Sequence, residues 1–189
     1  MIYLVRHGQT DWNVEHRTQG HLDIPLNETG RNEAEMCKKQ LSHIKIDKII
    51  SSDLSRAKET AAIINENFML SITYDSRIRE LNFGDLQGVL AKDISEKHWY
   101  LLNHEPHKIH AEPLVDVYKR MKSFFDEIDM DKNVLVVGHG GTVRMAMYLS
   151  HNLPSFNQED FERICLGFKI KNTEIFKWDK EHLLESLSQ

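Results

Sequence analysis

The chain has 189 residues, a length that suits one domain with a sizeable core and is short for two. Hydrophobic residues make up 40% and charged residues 28%, a balance typical of a globular protein and not of a disordered or fibrous one. The formal net charge of -5 argues against a broad nucleic-acid surface, which needs clustered Lys and Arg. We therefore expect a single domain over residues 1–189, no nucleic-acid partner, and only local anion sites.

The first residues and the cysteines bear on the cellular compartment. The apolar run at residues 1–5 is ended by Arg6 and His7, well short of a signal-peptide core, and no apolar stretch approaches the length of a membrane span. Cys37 and Cys165 lie far apart without metal-type spacing, so two reduced thiols are expected and not a disulfide framework. These features predict a cytoplasmic protein without a membrane partner.

Short apolar runs alternate with helical periods along the chain, which indicates an α/β fold. The β-branched runs predict buried central strands at Ile2 to Val5, Lys48 to Ile50 and Val134 to Val137. Helices are predicted at Glu28 to Ile44 after Asn27, at Leu54 to Phe68 with Asp53 as the cap, at Leu114 to Ile128, and from near Thr142.

Residues 92–113 are the least regular part of the sequence, and we expect a partly helical excursion over the site. His104, His107 and His110 recur every three residues there, but Pro106 breaks any helix that would align them. A solvated or lid-forming loop is therefore favoured over a metal cluster. Trp99 and Tyr100 suit either a substrate pocket or packing under a loop.

The end of the chain predicts an edge hairpin. Its arms are Gly167 to Ile170 and Glu174 to Trp178, joined by a turn at residues 171–173. A short polar tail is expected to follow.

Two predicted strands end in histidines flanked by glycine. The first runs into Arg6-His7-Gly8, and the strand at residues 134–137 runs into Gly138-His139-Gly140-Gly141 before a helix. Parallel strands share one carboxyl edge, where ligands bind, and glycines at a helix start offer backbone N–H groups to an anion. Taken alone, the first motif is more simply a surface turn, and the second is evenly balanced between an anion site and a local turn.

Arg56 follows the third strand and falls in the first turn of the next predicted helix. A cation at the positive end of a helix dipole is electrostatically misplaced unless an anion lies there. Arg56 is therefore a candidate phosphate clamp, although a solvated helix arginine, or a clamp for another anion, fits the same pattern.

These segments together resemble the histidine phosphatase superfamily, the group with the phosphoglycerate mutase fold. The matching segments, in chain order, are Arg6-His7-Gly8, Asn13, Gln19-Gly20, residues 23–27 through Gly30-Arg31, Ser51 to Ala57 with Thr60-Ala61, Arg79 to Gly84 with Leu86-Gln87-Gly88, and Gly138-His139-Gly140-Gly141. Several motifs in the right order are far more specific than any one of them. The resemblance implies a three-layer α/β/α sandwich around a mostly parallel sheet.

The resemblance also implies roles for individual residues. His7 would be the nucleophile that carries the phosphoryl group, Glu80 the proton donor, and Arg6, Arg56 and His139 the phosphoryl pocket. Substrate-binding positions would be Asn13, Gln19, Gly20 and Gly140. Because the arginine charges would keep His7 neutral and neutralise phosphate, we expect no cofactor and no metal, and resistance to EDTA.

The preferred activity is hydrolysis of a small phosphate monoester. The short chain leaves little room for the segments that enclose the substrate of a mutase. Residues 80–84 also resemble the form that the segment with the acid residue takes in the phosphatases of the family. A mutase and a non-catalytic phospho-ligand binding module remain the alternatives. His110-Ala111-Glu112-Pro113 stands where the family often has Gly-Gly-Glu-Ser, so the sequence leaves the substrate open, and it leaves the oligomeric state open as well.

Overall fold

The computed structural model describes residues 1–187, and over this range one sheet carries helices on both faces. The strands are β1 (Ile2–Arg6), β2 (Lys48–Ser51), β3 (Ile72–Tyr74), β4 (Val134–Gly138), β5 (Ile175–Trp178) and β6 (Glu185–Ser186). The helices are α1 (Asp11–Val14), α2 (Glu28–Leu41), α3 (Ser55–Asn65), α4 (Glu96–His104), α5 (Leu114–Asp126), α6 (Gly140–Leu149) and α7 (Gln158–Cys165). None of these helices is long and apolar enough to cross a membrane.

The sheet has the strand order β3-β2-β4-β1-β5-β6. Strands β1 to β4 pair in parallel, whereas β5 pairs antiparallel with β1, and β6 antiparallel with β5. The predicted mostly parallel sheet is therefore confirmed, with an antiparallel edge at β5 and β6.

The central strand β4 is buried along its whole length, which explains its unbroken apolar sequence. On one face Leu135 and Val137 belong to a core with residues of α2 and α3, including Ala61. On the other face Val136 belongs to a core with residues of α5, α6 and α7, including Met121. Two cores on opposite faces of one sheet give the predicted three-layer α/β/α sandwich.

The register of the parallel strands brings their carboxyl ends together. Arg6 at the end of β1 lies opposite Gly138 at the end of β4, and the His7 N–H donates to the Gly138 carbonyl at 2.9 Å. The Ser52 N–H, just after β2, donates to the Val137 carbonyl at 2.9 Å. Residues that follow three strands thus meet at one edge of the sheet.

The prediction that Asp53 caps the second helix is wrong. Helix α3 starts at Ser55 after Leu54, without a side-chain cap, and it ends at Asn65. Asp53 instead accepts a hydrogen bond from Arg79 at 2.7 Å within a two-point ion pair. The carboxylate is engaged by a guanidinium from another segment and does not reach the helix N-terminus.

The predicted hairpin at the end of the chain is also wrong in its first arm. Residues 167–170 form no strand, and the Ile170 carbonyl accepts a hydrogen bond from the Arg6 guanidinium at 2.6 Å. The second arm does form as β5, which pairs with β1 and with β6 from the predicted tail. The half-exposed strand β3 was not predicted.

Residues 92–113 are partly helical, as predicted. Helix α4 ends at His104, before Pro106 opens a short 3-10 turn. Leu102 and Ile109 form a small third core with Leu86 and Ile94. The segment therefore has a packing centre that is separate from the two cores of the sheet.

Both cysteines are buried and form no disulfide, as predicted. Burial raises the pKa of Cys37 and of Cys165 to about 12. Both side chains therefore remain thiols at neutral pH.

The loop after β1 touches α2 where Gly8 packs against Gly30, and this contact fixes the position of the loop. A Cβ on Gly30 would lie 2.1 Å from the Gln9 carbonyl oxygen. We expect Gly30→Ala to lower the free energy of unfolding by roughly 1 to 3 kcal/mol, because the backbones must separate. Urea unfolding measures this, with Gly167→Ala as the control, since a Cβ there meets nothing within 4 Å. Equal urea midpoints for Gly30→Ala and Gly167→Ala would contradict the prediction.

Candidate active site

His7 follows β1 directly and is buried. Its Nδ1 lies 2.7 Å from the Gly8 carbonyl oxygen, so we assign the proton to Nδ1, which leaves the lone pair on Nε2. Burial, followed by the charges of Arg56 and Arg6, lowers the His7 pKa well below its ordinary value of 6.5. The ring is neutral near pH 7 and presents one nucleophilic nitrogen.

His139 lies at the start of α6, and its ring centroid is 5.2 Å from that of His7. Its Nε2 lies 2.9 Å from the Ser52 hydroxyl, which also accepts the Leu54 N–H at 3.4 Å. The hydroxyl is therefore free to donate to Nε2, and we assign the ring proton to Nδ1. Burial, followed by the Arg56 charge, lowers the pKa of His139 well below 6.5.

Arg56 is fully buried in the first turn of α3. Its guanidinium donates to the carbonyls of Leu22 and Gly20, each at 2.8 Å. Burial lowers its pKa to about 10, with the Glu80 charge opposing this shift, so the group stays charged at neutral pH. The two carbonyls engage its terminal nitrogens without neutralising its charge.

Three nitrogens in this cluster are buried without a hydrogen-bond partner among residues 1–187. They are Arg6 Nε, Arg56 Nε and His139 Nδ1. The charges of both arginines lower the pKa values of His7 and His139, and the centroids of the two rings are 5.2 Å apart, so the four groups are close neighbours. A buried donor without an acceptor costs about 1–3 kcal/mol, so the cluster is suited to an anion with several acceptor oxygens.

Glu80 lies beside this cluster, at the N-terminus of α6. Its Oε1 accepts the Leu81 N–H at 2.9 Å and the Gly141 N–H at 3.1 Å. A Cβ on Gly140 would lie 3.7 Å from Glu80 Oε2 and 4.0 Å from Arg6 Nε. The carboxylate and the Arg6 guanidinium therefore flank the same point of the helix.

The four predicted substrate-binding residues occupy different places. Gly20 holds Arg56 through its carbonyl, and Gly140 begins α6 between Glu80 and Arg6. The Asn13 side chain accepts the Thr10 N–H at 3.0 Å and borders a cavity of about 590 Å³ next to Arg6. The side-chain oxygen of Gln19 is buried without a partner among residues 1–187. Contacts of these residues with a substrate stay a prediction.

The histidines of residues 92–113 point to separate neighbours. The His104 ring stacks on Tyr100 at a centroid distance of 4.4 Å, and His110 Nδ1 lies 3.0 Å from the Asp85 carboxylate. Within residues 1–187, no three His, Cys, Asp or Glu side chains come together as a possible metal site.

Three further residues that the sequence did not suggest hold the site in place. Arg120 donates to the Glu80 carbonyl at 3.0 Å, and His21 Nε2 lies 2.8 Å from the same oxygen. Asn172 donates to the His7 carbonyl at 2.8 Å. These pairs are separated by 40, 59 and 165 residues in the sequence, so no local pattern signals them.

The fold is that of a phosphoglycerate mutase-like α/β protein, and the cluster lies at the carboxyl edge of its parallel strands. The model of the histidine phosphatase superfamily, branch 1, matches residues 2–177. The chain belongs to this family.

Named relatives agree with this assignment. "Uncharacterized phosphatase PhoE" of Bacillus subtilis is 35% identical over 167 residues, which cover 88% of this chain and 86% of that protein. "Phosphoserine phosphatase 1" of Hydrogenobacter thermophilus is 36% identical over 78% of this chain and 74% of its own. A solved mycobacterial glucosyl-3-phosphoglycerate phosphatase with VO3 has a TM-score of 0.78 and 28% identity, covering 100% of this chain and 97% of its own. Family and relatives support a phosphatase activity.

The neutral histidines make stability depend on pH. In the unfolded chain, His7 and His139 take up protons near the ordinary pKa of 6.5, whereas their folded pKa values are much lower. Between these values the unfolded state binds more protons, so stability falls as the pH falls. We expect each histidine to contribute up to about 1.4 kcal/mol per pH unit to the loss between pH 6.5 and 5. Urea unfolding at several pH values measures how the free energy of unfolding changes with pH. This dependence should be shallower for His7→Asn than for the native protein, and equal dependences would count against a neutral His7 in the folded state.

Arg120 anchors residues 79–84, the Glu80 segment, and the loss of Arg120 should destabilise the fold. Arg120→Met leaves the carbonyls of Arg79 and Glu80 and the Glu112 carboxylate without this donor. We expect the free energy of unfolding to fall by about 2 to 3 kcal/mol. The neighbouring Lys119 is exposed and provides the control. Lys119→Met should change the free energy of unfolding by less than about 0.5 kcal/mol. A similar urea midpoint for both variants would disprove the anchoring role.

Proposed function

We propose that this protein hydrolyses phosphate monoesters of small molecules through a phosphohistidine at His7, with Glu80 as the proton donor. The observation that carries the proposal is the set of three unpartnered buried donors, Arg6 Nε, Arg56 Nε and His139 Nδ1, beside a neutral His7. A phosphoryl group offers acceptor oxygens to all three, and two guanidiniums compensate its charge.

In the first step, the Nε2 lone pair of His7 attacks phosphorus. The P–N bond forms as the bond to the ester oxygen breaks, and Glu80 gives this oxygen its proton, so that a neutral alcohol leaves. Positive charge develops on the imidazole, and the Gly8 carbonyl stabilises it through Nδ1–H. Arg6, Arg56 and His139 donate to the equatorial oxygens throughout.

In the second step, water attacks the phosphohistidine. The Glu80 carboxylate accepts a proton from the water, the P–N bond breaks, and inorganic phosphate leaves with His7 neutral again. Because Arg6 and Arg56 supply the positive charge, no step passes through a metal ion, and we propose that turnover is metal-independent.

The proposal predicts how two variants respond to two substrates. In EDTA, His7→Ala should lose at least about a thousandfold in kcat/KM on 4-nitrophenyl phosphate and on phosphoserine, because the nucleophile is gone. Formation of the phosphoenzyme by Glu80→Gln should fall by about 100-fold or more on phosphoserine and much less on 4-nitrophenyl phosphate, whose phenolate leaves without a proton. Phosphate release and rapid-quench detection of an acid-labile phosphoprotein measure these effects.

The control for folding is the far-UV and near-UV circular dichroism of each variant. Turnover by His7→Ala at the native rate would exclude the phosphohistidine route. Turnover of native protein that stops in EDTA would exclude metal independence. Transfer of the phosphoryl group to a second alcohol in place of release to water would identify a mutase.

A further inference from the structure

A second feature of the site is a cavity of about 300 Å³ whose lining includes Glu80 and Gly141. Its walls come from residues 92–113, from the Glu80 segment and from α5, α6 and α7. Most of the side chains that line it are apolar, among them Leu81, Phe83, Trp99, Leu102, Met145 and Leu166. A pocket of this size holds a single ring or a short branched chain.

The geometry of the displacement at phosphorus indicates where the leaving alcohol lies relative to this cavity. In an in-line displacement the leaving oxygen lies on the side of phosphorus opposite His7. The proton donor must be within hydrogen-bond reach of that oxygen, so the leaving alcohol lies next to Glu80. Since Glu80 lines the cavity, an alcohol held beside this residue would extend into it.

Two of the polar side chains on the cavity wall already have partners in the protein. Glu162 accepts a hydrogen bond from Gln158 at 3.0 Å, and Arg144 donates to the Phe168 carbonyl at 3.4 Å. A polyol placed there would lose its hydrogen bonds to water and find few new partners, which costs free energy. An apolar alcohol pays no such cost and gains from leaving water.

Two large apolar side chains at the cavity are exposed to solvent. Trp99 is 39% exposed and Leu166 is 58% exposed. Single exposed apolar residues are common, but these two line the same cavity as Glu80. A bound apolar group would cover both.

The cavity of about 590 Å³ beside Arg6 offers a different environment, with Arg17, Lys169 and Lys171 on its walls. It suits a second anionic group, but Glu80 does not line it. Its cationic side chains favour a charged group over the body of an apolar alcohol.

We propose that the preferred substrate is a phosphate monoester of an apolar alcohol or phenol, whose apolar body occupies the cavity beside Glu80. The inference rests on the proposed phosphatase function and adds the class of leaving group. Trp99 and Leu166 are specificity-determining residues in this account.

The test compares 2-phenylethyl phosphate with glycerol 1-phosphate, because both are esters of primary alcohols and differ mainly in polarity. We expect the native protein to hydrolyse 2-phenylethyl phosphate with at least about tenfold higher kcat/KM. Trp99→Ser and Leu166→Ser should each reduce this ratio several-fold, mainly through KM for the phenylethyl ester. Met36→Ser, at a 61% exposed position of α2 on the opposite face of the sheet, is the control and should leave the ratio unchanged.

The outcomes distinguish the phosphatase activity from the preference for an apolar leaving group. Equal or better hydrolysis of glycerol 1-phosphate, or a ratio that neither cavity variant changes, would overturn the apolar leaving group and leave the phosphatase intact. Failure to hydrolyse both esters and also 4-nitrophenyl phosphate would overturn the phosphatase and this inference together.

Discussion

Two guanidiniums and two imidazoles share one buried space at the carboxyl edge of the sheet, and like charges repel strongly where water is excluded. The protein accommodates them in two ways. Both histidines are neutral, and Arg56 and Arg6 donate to main-chain carbonyls of Gly20, Leu22 and Ile170. Carbonyls accept some of the guanidinium hydrogen bonds and leave the charge in place, so the space keeps a positive potential. The segments that supply those carbonyls come from distant parts of the chain.

The Glu80 segment is the second half of this arrangement. Its carbonyl is held by His21 and Arg120, while its carboxylate accepts N–H groups at the start of α6. The backbone and the side chain of one residue are thus fixed by separate elements. A group that must meet a leaving oxygen within hydrogen-bond distance benefits from such support, because a displacement of about 1 Å is enough to cost two orders of magnitude in rate.

The sequence predicted those parts of the site that depend on local patterns. Buried strands followed by glycine-flanked histidines located His7 and His139, and the first turn of α3 located Arg56, because a strand end and a helix start are visible in a few residues. Asp53 could not be assigned in this way. Its choice between a helix cap and an ion pair depends on Arg79, which is 26 residues away and comes close only in the folded chain.

The two parts of the site are built on different supports. The cluster of Arg6, His7, Arg56 and His139 lies at the ends of β1 and β4 and in the first turn of α3, and the two cores of the sheet hold these elements in place. Much of the wall beside Glu80 comes from residues between β3 and α5, which pack around Leu86, Ile94 and Leu102 in a core of their own. Side chains on that wall can therefore change without moving the strand ends. In the proposed function, this division separates the chemistry at phosphorus from the selection of the alcohol, and Glu80 is the residue at which the two meet.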